Sequence, residues 1–337
     1  MSNEKNLKEN DIRPASLMAN QKVVVLKDVA MLLNERDKFV DVNCPACNSS
    51  VKNKKYEKYG LEYVECPNCE TFYISPRPTD EVLAKFYANS FNYEYWNKYI
   101  FPASEEARRQ KIFVPRVNTV LEYCKKYEVT PNSLLEVGAA FGTFCTEMKS
   151  RNYFKKVIGV EPTPNLAQTC REKGIEIIEK PIEQVHFKEE EKFDVVVNFE
   201  VIEHLFSPKD FIAKCKNLLK KGGLFIVTCP NGKGFDISVL GNVSDTVDHE
   251  HLNYFNPKSL SGLLIDCGFE VLNVNTPGKL DAELVRNKVL SGDVSLDSQP
   301  FLKQVLVDNW DSAGELFQKF ISESGLSSNM WIVARSK

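Results

Sequence analysis

The chain has 337 residues, 43 Lys and Arg against 46 Asp and Glu, a formal net charge of −3 and 43% hydrophobic residues. That length supports one large core plus a small second unit, and the balanced, scattered charge argues against a nucleic-acid groove. No apolar run is long enough to cross a bilayer, and Met1-Ser2-Asn3-Glu4-Lys5 lacks the charged-then-apolar order of a signal peptide, so a cytoplasmic protein without membrane insertion is expected.

Residues 1–20 are polar, and 21–36 read as an apolar-periodic helix. Cys44-Pro45-Ala46-Cys47 and Cys66-Pro67-Asn68-Cys69 follow, two C-x-x-C knuckles separated by eighteen residues. Thiolates two apart on a tight turn can both point at one ion, and two such turns joined by a hairpin complete a tetrahedral shell. Cys44, Cys47, Cys66 and Cys69 are therefore expected to hold a structural Zn²⁺, with no open position for catalysis. The other six cysteines (Cys124, Cys145, Cys170, Cys215, Cys229 and Cys267) sit singly in helix or strand patterns, as small buried hydrophobes do. Lys52, Lys54, Lys55 and Lys58 are offset by Glu57, Glu62, Glu65 and Glu70, which leaves little field for phosphate.

Thr79-Asp80-Glu81 caps a short helix through Tyr87, and the aromatic run Phe91–Tyr99 reads as a loop that either packs or lines an acceptor pocket. A helix over 104–127 leads to Pro131. Strands are expected near 133–138, 157–161, 175–179, 193–199, 223–229, 269–276 and 329–335, with helices between the first five and before the sixth, which makes an open, doubly wound α/β sheet. Ser207-Pro208 opens one of these helices and Lys220-Lys221-Gly222-Gly223 closes it. Residues 277–328, helical near 281–290 and 299–322, form an insertion that reads as a lid or a homo-oligomer contact.

The first core strand runs Leu134-Leu135-Glu136-Val137 into Gly138-Ala139-Ala140-Phe141-Gly142, and the second ends Val157-Ile158-Gly159-Val160-Glu161. A strand ending in a small-residue turn lets backbone approach a nucleotide-type cofactor, and a carboxylate closing the next strand can accept both ribose hydroxyls. The spacing Gly138-x-x-x-Gly142 is not the G-x-G-x-x-G that cradles a pyrophosphate, and Glu136 suits a ligand carrying an ammonium or sulfonium.

These residues resemble the first motif of the class I S-adenosylmethionine methyltransferases. Lys192–His204 and Lys220–Thr228 resemble that family's fourth and fifth strands, in its order and spacing. The resemblance covers residues 131–337 and implies a Rossmann-like seven-stranded methyltransferase sheet. It implies a cofactor held by Glu136, Gly138, Ala140, Gly142, Glu161, Pro181, Ile182, Asn198 and Phe199, with Glu161 at the ribose, Pro181-Ile182 at the adenine and Asn198-Phe199 near the sulfonium. The expected units are an N-terminal helical segment (1–40), a zinc ribbon (41–78), connecting helices with the aromatic loop (79–130) and the methyltransferase domain (131–337).

A ribbon ending in Phe72-Tyr73-Ile74-Ser75-Pro76-Arg77-Pro78-Thr79 resembles the N-terminal module of bacterial sugar methyltransferases. Asp248-His249-Glu250-His251-Leu252-Asn253-Tyr254-Phe255 resembles the H-E-H-x-x-Y-F stretch of zinc-ribbon-bearing nucleotide-sugar methyltransferases. The resemblance implies His251 as general base, Glu250 as its partner and a nucleotide-linked sugar of surface-glycan biosynthesis as acceptor. The chain departs from that carbon-methylating group in having no counterpart of its C-terminal domain and in carrying Asp248 where the group places a Tyr, so O- or N-methylation fits as well or better. Glu200-Val201-Ile202-Glu203-His204 keeps a rival open, because metal-dependent methyltransferases of small-RNA ends and quinone precursors use a similar E-x-x-E-H. In that reading Glu200, Glu203 and His204 share a divalent ion with His249 or His251. A zinc-ribbon scaffold that binds cofactor without turnover is the non-enzymatic alternative.

Overall fold

A computed structural model describes residues 7–337. Its strands in chain order are β1 (Asn53–Lys58), β2 (Leu61–Glu65), β3 (Phe72–Ile74), β4 (Ser133–Val137), β5 (Lys156–Val160), β6 (Glu176–Ile178), β7 (Phe193–Phe199), β8 (Leu219–Pro230), β9 (Asn253–Tyr254), β10 (Phe269–Asn275) and β11 (Asn329–Ser336). Seven of them form one sheet in the order β10-β11-β8-β7-β4-β5-β6. β6, β5, β4, β7 and β8 run parallel, and β11 is antiparallel to both β8 and β10. This is the doubly wound α/β sheet expected from the strand pattern, with the seven strands that the resemblance implied.

β4 and β7 are buried along their whole length because helices cover both faces, and their Leu- and Val-rich runs follow from that. Alternate residues feed two cores: Leu135, Val137 and Val196 join one, and Leu134, Val195 and Val197 join the other. The Val114–Lys126 and Thr143–Ser150 helices supply the second core, and Pro208–Asn217 and Pro257–Asp266 the first.

β1, β2, β3 and β9 form a second, smaller sheet. The β1–β2 hairpin turns at Tyr59-Gly60, both at positive φ, the geometry that matches the twist of a two-residue hairpin. Its two knuckles repeat one turn: Cys44 N donates to Ser49 O and Asn48 N to Cys44 O, while Cys66 N donates to Thr71 O and Glu70 N to Cys66 O. Asn48 and Glu70 both take φ of 58° to close these turns. The ribbon does not stand apart: Cys44, Ala46, Val64, Cys66 and Tyr73 pack in the same core as Phe225 and Phe255.

Four local expectations are corrected. Phe91–Tyr99 is helical, an α-turn over Phe91–Tyr95 running into a π-turn over Trp96–Ile100, because Ser90 caps it through Tyr93 N and the Tyr95 and Tyr99 rings meet one turn apart, tilted at 4.9 Å. The 104–127 helix starts earlier, at Phe101, and carries a π-turn over Arg109–Phe113 between its α-helical stretches Phe101–Arg108 and Val114–Lys126. Between β6 and β7 only the 3-10 turns Ile182–Gln184 and Glu189–Glu191 occur. The helix before β8 ends at Asn217, and Gly222, at φ +81°, lies inside β8 where its register against β7 shifts.

Candidate active site

The carboxyl ends of β4, β5, β7 and β8 open onto a cavity of about 2860 Å³. At its cofactor end the backbone is bent by residues chosen for that shape. Gly138 sits at φ +83°, and a Cβ there would meet Val201 Cγ2 at 2.6 Å. Ala140 is also left-handed, at φ 48°, and Gly142 at φ +69° opens the Thr143–Ser150 helix, where a Cβ would meet Cys170 Sγ at 2.9 Å. Glu161 holds the turn: Oε2 accepts from Ala140 N and Oε1 from Thr163 N, both at 2.9 Å. Each oxygen keeps a lone pair, so the carboxylate is aimed and still able to accept.

Glu136 is buried, and the Cys145 thiol donates to its Oε2 at 3.0 Å. Burial pushes the carboxyl up to about 8, against the pull of that thiol and of the Arg116 guanidinium. Glu136, Gly138, Ala140, Glu161 and Phe199 line the cavity. Asn198 lies just behind it, fully buried, its Nδ2 donating to Val137 O. Pro181 and Ile182 stand away from the lining, Pro181 in solvent and Ile182 in the core, because the chain leaves β6 through 3-10 turns rather than a helix. Gly142 shapes the turn without lining the cavity.

The other end of the cavity is built from two short segments. After β7, Glu200 takes φ 55° and the chain turns through the 3-10 segment Ile202–His204 instead of starting an α-helix. That turn separates the E-x-x-E-H residues. Glu200 Oε1 accepts from Thr228 Oγ1 and Asn329 Nδ2, on β8 and β11, while Glu203 and His204 turn toward His251. Ligand atoms of Glu203, His204 and His251 lie within 4.8 Å of one another. Glu203 is 1% exposed with neither oxygen hydrogen-bonded, and burial, then the Glu200 charge, holds its carboxyl well above the usual range.

Both imidazoles have their tautomer set by backbone. His251 Nδ1 is 2.8 Å from Thr246 O and His204 Nδ1 is 3.1 Å from Glu250 O. A carbonyl only accepts, so each Nδ1 carries the proton and each Nε2 a lone pair. Burial, then the neighbouring His251, pushes His204 down to about 3, which keeps it neutral. The partner expected for His251 is corrected: Glu250 accepts from Asn92 Nδ2 at 2.6 Å, and the carboxylate beside the His251 ring is Asp248, at 3.6 Å, which also accepts from His251 N. The chain bends at His249-Glu250, which directs the Glu250 side chain to Asn92 and leaves Asp248 beside the His251 ring.

Several residues of the site carried no readable signal. Arg116 lines the cavity with its guanidinium 4.5 Å from the Phe199 ring centroid. Arg77, fully buried just after β3, donates to Ile74 O, Phe206 O, Leu252 O and Asn253 Oδ1. Asn253 in turn donates to Leu205 O at 2.7 Å, so the ribbon reaches the Glu203–His204 turn through one side chain. A buried Arg without a carboxylate neighbour was the only clue, and the sequence does not reveal burial.

A parallel sheet whose first strand ends in a glycine turn, whose second ends in an aimed carboxylate, and whose carboxyl edge opens on a deep cavity defines a nucleotide-cofactor enzyme. The profile of the methyltransferase domain family matches residues 106–274, half of the chain. The chain belongs to that family and carries its methyltransferase domain over those residues. A Mycolicibacterium smegmatis protein named as a probable S-adenosylmethionine-dependent methyltransferase is 40% identical over 79 residues, 23% of this chain and 29% of that one. A ubiquinone biosynthesis O-methyltransferase of a Bradyrhizobium species is 27% identical over 208 residues, 55% of this chain and 78% of that one. The chain thus spans less than a third of the first relative's length. A Clostridium acetobutylicum S-adenosylmethionine-dependent methyltransferase of known structure superposes with a TM-score of 0.47 at 10% identity, over 72% of this chain and 98% of that one. Among the described residues, no helix is long and apolar enough to cross a membrane.

Proposed function

We propose that the chain is an O-methyltransferase whose acceptor hydroxyl is activated at Glu203, His204 and His251, with a divalent cation held by those three side chains. The observation that carries the reading is the Glu203 carboxylate, buried with both oxygens unpartnered beside two imidazole Nε2 lone pairs. An orphaned buried carboxylate costs several kcal/mol, roughly, and a cation removes that cost. Each ring's remaining N–H is taken by a backbone carbonyl, the usual outer partner of a metal-bound histidine. When bound, the cation lowers the pKa of a nearby hydroxyl.

S-adenosylmethionine supplies the methyl as an electrophile on a sulfonium. Glu136 offers a carboxylate to its cationic end, Glu161 accepts from its ribose, and Gly138, Ala140 and Phe199 shape the cleft; Gly142 and Asn198 support it from outside the lining. The cavity exceeds the roughly 300–1,000 Å³ of a single-ligand pocket, which supports a second sizeable ligand beside the cofactor. Adjacent hydroxyls, as on a sugar or a catechol, suit such a site. A nucleotide-linked sugar of surface-glycan biosynthesis remains the first acceptor class, and Arg13, Lys22 and Lys279 on the cavity wall suit its phosphates. A quinone-precursor catechol is second.

One observation favours a metal-free variant. With Nδ1 donating to Thr246 O and Asp248 close by, His251 Nε2 is also a ready general base, and the Asp248 charge would steady the imidazolium. The ribbon at 41–78 is proposed as a structural zinc module. Cys44 and Cys69 Sγ are 3.4 Å apart and Cys47 and Cys66 Sγ 3.5 Å, near the roughly 3.8 Å edge of a zinc–thiolate tetrahedron. The remaining divisions, an N-terminal segment to 40, a connector over 79–130 and a catalytic domain over 131–337 with the 277–328 insertion, belong to the same proposal.

The test is mass spectrometry of nucleotide-linked sugars, nonulosonic acids and polyhydroxybenzoates after incubation with the protein and S-adenosylmethionine. A single-methyl gain on a hydroxyl that a chelator abolishes and Mg²⁺ or Mn²⁺ restores is the expected result. A gain indifferent to chelation supports His251 as base instead, and a gain on nitrogen or carbon overturns O-methylation.

A further inference from the structure

The segment His249-Glu250-His251 divides between two clusters. His251 joins Glu203 and His204, whereas His249 and Glu250 join Asp28 of the N-terminal helix Ala15–Leu33. One ligand atom from each of Asp28, His249 and Glu250 lies within 4.8 Å of the others. His249 is 2% exposed, yet neither ring nitrogen has a hydrogen-bond partner. Its Nε2 is 3.8 Å from Glu250 Oε1, and the edges of Tyr59 and Phe86 wall the ring on its other sides.

The two carboxylates are held by one short stretch of chain. Ser90 Oγ donates to Asp28 Oδ2 at 2.6 Å, Phe91 N to Oδ1 at 2.8 Å and Asn92 N to Oδ2 at 3.0 Å. Asn92 Nδ2 donates to Glu250 Oε1 at 2.6 Å, and Gln21 Nε2 fixes the Asn92 amide through its Oδ1. Each carboxylate keeps unused lone pairs. The arrangement thus has two oriented carboxylates, Asp28 buried and Glu250 partly so, and an imidazole whose lone pair meets nothing. Two like charges a few ångströms apart away from water repel, and an unused imidazole nitrogen forfeits the hydrogen bond it makes in water.

We infer that Asp28, His249 and Glu250 form a divalent-cation site separate from the Glu203–His204–His251 cluster. One imidazole nitrogen and two carboxylate oxygens suit Zn²⁺, Mn²⁺ or Fe²⁺, while Ca²⁺ prefers an all-oxygen shell. The residues at 90–92 are its outer partners. The ion would staple the N-terminal helix and the Ser90–Tyr95 turn to the segment that carries His251, closing one wall of the cavity. Metal binding here requires no methyl transfer, so the inference stands apart from the proposed reaction.

The experiment uses the full chain, stripped with a carboxylate chelator and crystallised with Mn²⁺, with data collected for Mn anomalous scattering. In parallel, Mn²⁺ stoichiometry is measured on the wild type, His249→Ala and Asp28→Asn, and thiolate-bound zinc, released by a mercurial, reports that the ribbon is still folded. We expect an anomalous peak between Asp28, His249 and Glu250, and one Mn²⁺ equivalent fewer in both variants with ribbon zinc unchanged. Glu203→Gln should leave that peak in place. Absence of a peak there in the wild type, or variants that bind as much Mn²⁺ as the wild type, would overturn the inference.

Discussion

Glu136 is mainly protonated at neutral pH, since burial pushes its carboxyl up to about 8. A cationic ligand end facing it favours the carboxylate, so below that pH binding must expel the proton, and above it there is none to expel. S-adenosylmethionine affinity should therefore rise with pH up to about 8 and then level off, by at most about tenfold per unit. Calorimetry in buffers of different ionisation enthalpy should show proton release near pH 7, which Glu136→Gln abolishes; equal affinity at pH 6.5 and 8.5 would contradict it. Gly138→Ala acts through shape instead. A Cβ at φ +83° and 2.6 Å from Val201 Cγ2 forces the turn open, so cofactor binding should be lost and stability reduced by about 1–3 kcal/mol, read by denaturant midpoint. At this scale the cavity-lining residues on the ends of β4 and β5 were legible, because each strand runs into its glycine or carboxylate in consecutive sequence. The pairing of His251 was not, since whether Glu250 or Asp248 stands beside it depends on how residues 246–251 turn.

Among the elements, β9 has the largest effect for its size. Its two residues complete the smaller sheet by pairing Tyr73 with Asn253 and Phe72 with Tyr254, and only Leu252 separates them from His251. No periodicity announces a two-residue strand whose partner lies about 180 residues earlier, whereas β4, β7 and β8 are apolar runs that can be read without the fold. Arg77 reinforces the same junction. Arg77→Ala would remove the guanidinium donor from the Ile74 and Phe206 carbonyls and Asn253 Oδ1, and one of two donors from Leu252 O, which Ile74 N also reaches. We expect a loss of about 3–5 kcal/mol in chemical denaturation, only partly recovered by Lys, which cannot reproduce the planar fork. A loss under about 1 kcal/mol would mean that water replaces those bonds.

For the whole molecule, the ribbon, the cofactor sheet and the acceptor segment are one packed body, because ribbon cysteines share a core with β8 and with the residues after β9. Cys47→Ser or thiol-directed zinc removal should lower the melting temperature of the entire chain in a single transition, as followed by calorimetry. A separate ribbon transition that left the main one unmoved would refute that coupling. The division of labour inside this body is the central claim: β4, β5 and β7 hold the cofactor, and Glu203, His204 and His251 act on the acceptor. The most direct measurement compares S-adenosylmethionine affinity with the methyl-transfer rate, on the acceptor found by mass spectrometry, for the wild type, Glu203→Gln and His251→Ala. The account predicts rates lower by about 10²–10⁴-fold with cofactor affinity changed by less than about threefold. Wild-type rates in both variants, or rates that fall only as far as cofactor affinity does, would contradict it.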